Sequence, residues 1–329
     1  MLLRLGSFNL ESLDDGPQAP DFEARRAVLV PQLRRLAADV LCLQEVDGQR
    51  LGPAWHRHGP RGLRALDRLL ADTAYASYHR FCTHAEGGGI RDRHNLVVLS
   101  RFPIVAARQY HHDLVPPPLY RPVTADPPVA DVQPVAWDRP LLAVALDIGG
   151  GRTLQVVNLH LRAPRAALVA GQKLDAARWR TMAGWAEGYF LAAVKRSGQA
   201  LEARLAIDSL FDDDPRALVA VCGDFNAVGN EMPLRILCGD IEDSGNAALS
   251  ARCLTPLDRG VEATRRFSVL HCGQPQMLDH ILVSPVLLAA FRSLEIHNEA
   301  LQDDSSSVAA LAEGPESFHA PLVGTFEMA

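Results

Sequence analysis

The chain has 329 residues, 48% of them hydrophobic and 22% charged, with 24 Gly and 22 Pro. That balance excludes collagen-like, coiled-coil and broadly disordered chains, and the length allows a sizeable core. A formal charge of -6 excludes a global basic field for a polyanionic partner. Only Lys173 and Lys195 among the 33 basic residues are lysines, so phosphate recognition falls to arginines at particular positions.

LLRLGSFNL predicts a first strand, an amphipathic stretch from about Phe22 to Ala38 a helix, and DVLCLQEV a second strand. A further helix is expected from about Gly62 to Ala74, then strands in YASYHRFCTH, NLVVLS and IVAARQYHH. The eight prolines between Pro116 and Pro140 make that segment a loop or irregular excursion. LLAVALDI and TLQVVNLHL read as a hairpin across Gly149 to Gly151. From about Leu168 to Leu210 the pattern is helical, with a break expected near Ser197 and Gly198. ALVAVCGDFN, QMLDHILVS and PLVGTF supply the last strands, with residues 301–318 between the latter two expected as a mobile loop. Strands with helices spaced between them imply two packed sheets under outer helices, in one domain over residues 1–329.

Cys42, Cys82, Cys222, Cys238, Cys253 and Cys272 form no C-x-x-C pair, which points to free thiols in a reducing compartment. The N-terminus turns polar by Asn9, too soon for a secretory apolar core, and no apolar run is long enough to span a bilayer. A cytoplasmic location is the resulting expectation. Oligomeric state is left open.

Polar residues recur at the strand ends: SFNLE, LCLQEVD, VVNLHL, VAVCGDFN, MLDH and SFHAPL. If those strands lie side by side, their ends make one cleft of carboxylates, amides and imidazoles. Carboxylate and amide oxygens suit a hard cation such as Mg²⁺. Such a cleft fits phosphoryl transfer, in which positioning and charge neutralisation do most of the catalysis.

This ordered set, from FNLE through NLVVLSRFPI and RPLLAV to FHAPL, resembles the endonuclease/exonuclease/phosphatase superfamily, which includes pancreatic-type deoxyribonuclease, apurinic endonucleases, neutral sphingomyelinases and inositol polyphosphate phosphatases. The resemblance implies an α/β (α+β) fold, a four-layer αββα sandwich of two mixed sheets between outer helices. It also implies a metal-dependent phosphoester hydrolase site at the strand ends.

By that resemblance, Glu45 is the principal metal carboxylate, Asn9 the amide supporting the same metal, and Glu11 a second acid of some nuclease members. His319 contacts the scissile phosphate, paired with Asp279. Asp224 orients and deprotonates the attacking water, and Asn226 binds a non-bridging oxygen or holds Asp224. Asn158 and His160 touch the phosphate from the neighbouring strand. Arg139 and Asn95 are candidate substrate-binding residues, and His94 opens the Asn95 strand towards the cleft. His280 alternates to the opposite face of its strand, His111 and His112 read as surface, and Gly87 to Gly89 as a flexible turn. Arg61, Arg64, Arg91, Arg93, Arg101, Arg121, Arg162 and Arg165 are candidates to line a rim. Relatives usually carry Asp before the last histidine, where this chain has Phe318. That departure favours one tightly held Mg²⁺ (or Mn²⁺) over a strict two-metal site.

The expected function is therefore Mg²⁺-dependent hydrolysis of a phosphoester, with a phosphodiester preferred and nucleic acid the preferred substrate. The alternatives are a phosphatase or phosphodiesterase acting on inositol phosphate or a phospholipid headgroup, and a binding module that has lost turnover.

Overall fold

The computed structural model describes every residue except 17–18, 20, 53–58, 305–315 and 329. Most of the loop expected at 301–318 thus lies outside the described residues. In chain order the main strands are β1 (Leu2–Leu13), β2 (Val40–Val46), β3 (His79–Cys82), β4 (Asn95–Ser100), β5 (Ile104–Tyr110) and β6 (Leu141–Asp147). The second half adds β7 (Thr153–His160), β8 (Leu218–Asp224), β9 (Thr255–Pro256), β10 (Asp279–Val283), β11 (Phe291–Ile296) and β12 (Leu322–Glu327). They form two six-stranded sheets, ordered β11-β12-β1-β2-β4-β3 and β9-β10-β8-β7-β6-β5. Both are mixed. The first has its parallel pair at β1–β2 and the second at β7–β8, with antiparallel neighbours elsewhere.

Strand alternation builds the layers. Val40 and Cys42 of β2 face the second sheet, where they share a buried cluster with Leu154 and Val156 of β7 and Ala220 and Cys222 of β8. Leu41 and Leu43, the alternate residues, turn to the outer face and pack with Leu29, Leu33 and Leu36 of α1 (Phe22–Leu36) and Leu66 and Leu69 of α2 (Arg64–Leu70). The second sheet repeats the device, with Val157, Leu159, Val219 and Val221 against α3 (Met182–Asp213) and α4 (Met232–Cys238). Each fully buried aliphatic side chain contributes about 1.5–3 kcal/mol of transfer free energy. Because both faces of the central strands are covered, they read as continuous apolar runs broken only where polar side chains enter the cleft. This is the four-layer αββα sandwich.

Several local expectations change. α3 is one helix of 32 residues, capped by Thr181, and it starts well after Leu168. It does not break at Gly198. That glycine serves packing, since a Cβ there would come within 2.4 Å of the Trp137 ring. The second helix is shorter than expected, and the strand β11 and helix α4 carried no pattern in the sequence reading. The proline-rich excursion holds a minimal hairpin, Leu119–Tyr120 with Gln133–Pro134. Trp137, 1% exposed, anchors its end by donating to Glu202 at 3.2 Å. His112 packs on Trp137 with ring centroids 4.0 Å apart, and His111 Nε2 lies 2.8 Å from the Trp137 carbonyl. Both histidines are half-buried packing residues, not free surface ones. All six cysteines are free thiols, Cys42, Cys222 and Cys238 buried and Cys272 exposed. No helix among the described residues is long and apolar enough to cross a membrane.

Candidate active site

The parallel seam of the second sheet sets half of the cleft by register alone. His160 at the end of β7 lies opposite Asp224 of β8, and Asp224 lies opposite Asp279 of β10. All three continue the inward-facing alternation of Val156, Cys222 and Ile281. Gly223 makes the seam possible: its φ is +144°, and a Cβ there would sit 1.9 Å from the Leu159 carbonyl oxygen. His319 arrives from the approach to β12, its Nδ1 2.8 Å from Asp279 Oδ2. The Ser317 hydroxyl positions it, donating to the Asn9 carbonyl at 2.7 Å and accepting the His319 N–H at 3.1 Å.

The first sheet reaches the same cleft by interrupting its ladder. Pairing of β2 with β4 slips between Leu43 and Val46, and pairing of β1 with β2 slips between Asn9 and Leu13. At these bulges Glu11, Ser12 and Glu45 take φ of 49°, 52° and 57°, and His94, ahead of β4, takes 54°. Left-handed backbone costs an ordinary residue about 1–2 kcal/mol, so the surrounding structure must hold it. Two buried asparagines do so. Asn158 donates to the Leu43 and Val97 carbonyls at 3.0 Å each and accepts from Gln44 Nε2 at 2.8 Å. Asn95 donates to the Val46 carbonyl at 2.8 Å and to Arg91 O at 3.0 Å, and accepts the Arg91 N–H at 3.1 Å.

These contacts correct two expectations. Asn158 and Asn95 are both 0% exposed and their amides are spent on backbone, so they do not face a substrate. They bind the Leu43 and Val46 carbonyls on either side of the β2 bulge, and thereby brace the backbone that aims Glu45. Asn9 is also a brace. Its Nδ2 lies 3.3 Å from Glu45 Oε1 and 3.2 Å from Asp224 Oδ2, while its Oδ1 accepts the Glu11 N–H at 2.9 Å. Asn226 holds Asp224, with its backbone N–H 2.8 Å from one carboxylate oxygen and Nδ2 3.0 Å from the other. Glu11 accepts the Phe318 N–H at 2.7 Å, placing a carboxylate beside the residue that precedes His319. The Phe318 ring is buried at the cleft wall.

Charge is distributed unevenly. Burial opposes ionisation of Glu45, but His94, His160 and Arg139 outweigh it and hold its carboxyl well below the usual range. Burial likewise disfavours the charge of Asp224, which His160, His319 and the Asn226 N–H reverse to a lowered pKa. His160 is pushed down by burial and by Arg139, against the pull of Asp224 and Glu45. Burial also acts against the imidazolium of His319, yet Asp279, Asp224 and Glu45 raise it to about 10. Glu11 is raised by burial.

These groups line one cavity of about 730 Å³ that holds Glu11, Glu45, Arg139, His160, Asp224, Asn226 and His319. Arg139 donates to the Leu161 carbonyl at 3.2 Å and, with Arg162, also borders a second cavity of about 730 Å³ that contains Arg91, Arg93 and His94. Arg165 stands on the first rim. Of the remaining arginines, Arg61 pairs with Asp92, Arg64 with Asp15 and Arg101 with Asp39. His280 is fully buried between Asp258 and the Ala227 carbonyl. Ser12 was not singled out from sequence, yet its N–H and hydroxyl donate to Glu45 Oε2 at 3.1 and 3.2 Å. His271, at the cavity rim beside Asp304, was missed too, since no motif surrounds it.

Two groups have ligating atoms close enough for one ion: Glu45 with His94 and His160, and Asp224 with Asp279 and His319, each set within 4.8 Å. His94 Nδ1 is buried without a hydrogen-bond partner and lies 3.5 Å from Glu45 Oε2. An ionised carboxylate beside an unpaired imidazole nitrogen is a donor set that fits a divalent cation.

The fold is shared widely. A structure described as an endonuclease/exonuclease/phosphatase from Beutenbergia cavernae DSM 12333 superposes with a TM-score of 0.55 at 19% identity, covering 100% of this chain and 72% of that one. Truncated TDP2 from Caenorhabditis elegans gives 0.56 at 14% identity over 99% and 98% of the two chains. An AP endonuclease from Archaeoglobus fulgidus gives 0.51 at 16% identity over 99% and 100%. At such identities the likeness is one of fold. No curated protein matches the sequence significantly. The Endonuclease/Exonuclease/phosphatase family model matches residues 6–301, and the chain therefore belongs to that family, whose members are metal-dependent phosphoester hydrolases.

Proposed function

We propose that the chain is a divalent-cation-dependent phosphodiesterase that cleaves nucleic acid by in-line attack of water. The reading rests on one observation: Glu45, Asp224, His319 and Arg139 line a single cavity, with Asp279 buried behind His319 and 2.8 Å from its Nδ1. Asp224, ionised and held by Asn226, accepts a proton from the attacking water. His319, kept charged by Asp279, donates to a phosphoryl oxygen as negative charge builds there, and Arg139 adds a second cation. The P–O bond to the leaving group then breaks opposite the water. Glu45 would hold a divalent cation, Mg²⁺ on the oxygen-rich reading of the strand ends, and that ion would supply further positive charge to the phosphoryl oxygens. Arg139 and Arg162, shared by two adjoining cavities with Arg91 and Arg93 beyond, favour an extended polyanion over an isolated phosphate.

A second reading, hydrolysis of a phospholipid headgroup, draws on the segment that leaves the rim at Arg165. It carries Leu168, Leu174 and Met182 at 75%, 61% and 76% exposure, an apolar edge suited to a lipid surface. Purified protein assayed against plasmid DNA, single-stranded nucleic acid, phospholipid vesicles and a bis-aryl phosphodiester, with divalent ions or EDTA, separates the two. Cleavage of nucleic acid that EDTA abolishes is the expected result. Vesicle-only cleavage replaces the first reading with the second. No hydrolysis of any of them, or hydrolysis indifferent to EDTA, overturns both.

A further inference from the structure

We infer that His271, held by Asp304, is a substrate-binding residue that contacts the phosphate next to the scissile one. It stands at the end of the cleft opposite the arginines, so a polynucleotide is gripped on both sides of the cut and cleaved internally. The inference deepens the phosphodiesterase reading and rests on its choice of nucleic acid. His271 lies on a short hairpin, Val269–His271 with Gln274–Gln276. Its Nδ1 is 2.7 Å and 3.0 Å from the two carboxylate oxygens of Asp304. That contact fixes the ring and leaves Nε2 without a partner among the described residues. As an imidazolium the ring donates from Nε2 to an anionic oxygen, the arrangement that the Asp279–His319 pair presents to the same cavity.

The hairpin is built to hold its place. Cys272 and Gly273 take φ of 50° and 72°, the left-handed pair of a two-residue turn, and both N–H groups donate to Asp303. At the base, Ser268 ties the hairpin to the reaction centre. Its hydroxyl accepts the Leu278 and Asp279 N–H groups at 3.0 Å each, and its carbonyl accepts the N–H of Ala320, the residue after His319, at 2.8 Å. Position along the sheet supplies the direction. Asp279, Asp224 and His160 follow one another across β10, β8 and β7, with Arg139 just ahead of β6. The hairpin enters this row at β10. The cavity with Arg91 and Arg93 joins it at Arg139 and Arg162 and includes no residue of the hairpin. A chain laid along the row is therefore held before and after the bond at Asp224.

The test compares substrates with Mg²⁺ present throughout: a linear dodecanucleotide, a covalently closed single-stranded circle, and a bis-aryl phosphodiester, which has no flanking phosphate. Wild type and His271→Gln are measured on each. Wild type should cut the circle and the dodecanucleotide at similar rates per bond. His271→Gln should raise KM for the dodecanucleotide by about 10-fold or more, the weight of one charge-assisted hydrogen bond. The ratio of kcat/KM for the dodecanucleotide to that for the bis-aryl diester should fall by the same factor. A histidine that only steadied the hairpin would lower both values together, and a ratio unchanged from wild type overturns the inference. So does a circle left intact while the linear strand is digested from its ends. If wild type hydrolyses the bis-aryl diester in an EDTA-sensitive way but cuts neither DNA, the choice of nucleic acid falls and this inference with it, while the phosphodiesterase stands.

Discussion

Glu45 and Asp224 face each other across the cleft, but their sheets deliver them differently. Asp224 sits in an unbroken ladder, opposite His160 on one side and Asp279 on the other, and needs only a glycine before it. Glu45 stands on a bulge, in left-handed backbone, among Glu11, Ser12 and His94 in the same conformation. Left-handed backbone thus gathers on the side assigned to the cation, with Asn226, at φ 48°, its counterpart beside Asp224. The regular side holds Asp224 and the Asp279–His319 pair, to which proton handling is assigned in the proposed reaction. A base and its acid partner gain from rigid register, because hydrogen-bond reach tolerates little drift. An ion site instead needs several donors turned inward from neighbouring residues, which a strand with strict alternation cannot supply.

The largest expected effect sharpens this division. Asp224→Asn should lower kcat by about 10²–10⁴-fold, the range of a positioned general base, while leaving divalent-ion affinity within a few-fold of wild type. Glu45→Gln should abolish activity at low metal concentration and recover part of it as metal is raised. Steady-state kinetics across a metal titration distinguishes the two. Loss of metal dependence in both variants would dissolve the distinction between the sides.

A smaller effect belongs to the bulge. Asn158→Ala leaves the Leu43 and Val97 carbonyls without this buried partner, while Gln44 Nε2 keeps Ser7 Oγ at 3.3 Å, and each orphaned group costs about 1–3 kcal/mol. We expect a loss of about 3 kcal/mol in urea unfolding, together with weaker metal binding as Glu45 loses its aim. Asn95→Ala should lose less, since Val46 and Arg91 lie nearer the sheet margin. If Asn158→Ala keeps full stability and loses only catalysis, the asparagine touches substrate after all.

That point also marks how far the fold and site could be read in advance. The two-sheet sandwich was legible because apolar strands with polar ends recur from β1 to β12, and Glu45, Asp224, Asp279 and His319 were legible as those ends. Asn95 and Asn158 were read as cleft residues because an asparagine at a strand end looks the same whether it meets solvent or a carbonyl inside. Two of the carbonyls they serve, Leu43 and Val46, flank the register slip at Gln44 and Glu45, and a slip is settled by pairing with another strand. Gly198 was read as a break for a similar reason, as its partner Trp137 comes from a distant excursion. His94 is legible in the sequence only as the residue that opens the Asn95 strand towards the cleft, although its backbone conformation marks it out.

The mildest prediction separates the two sides by pH. His319 is raised to about 10 by Asp279, Asp224 and Glu45, against 6.5 for an unpaired histidine. A pKa raised on folding stabilises the native state in full below the unfolded value and loses that contribution as pH climbs through the folded one. In metal-free buffer, the stability advantage of wild type over His319→Gln should therefore be greatest near pH 6 and decline towards about pH 10. Glu45 behaves oppositely. Its pKa is lowered, so its charge contributes fully at neutral pH and fades only in acid. Urea unfolding should therefore show the His319→Gln difference shrinking from pH 6 to 10 while the Glu45→Gln difference stays flat there and shrinks only as pH falls below about 4.5. A wild-type advantage over His319→Gln that grows with pH would mean that the ring is neutral in the folded protein, and the proton-handling side would need another cation.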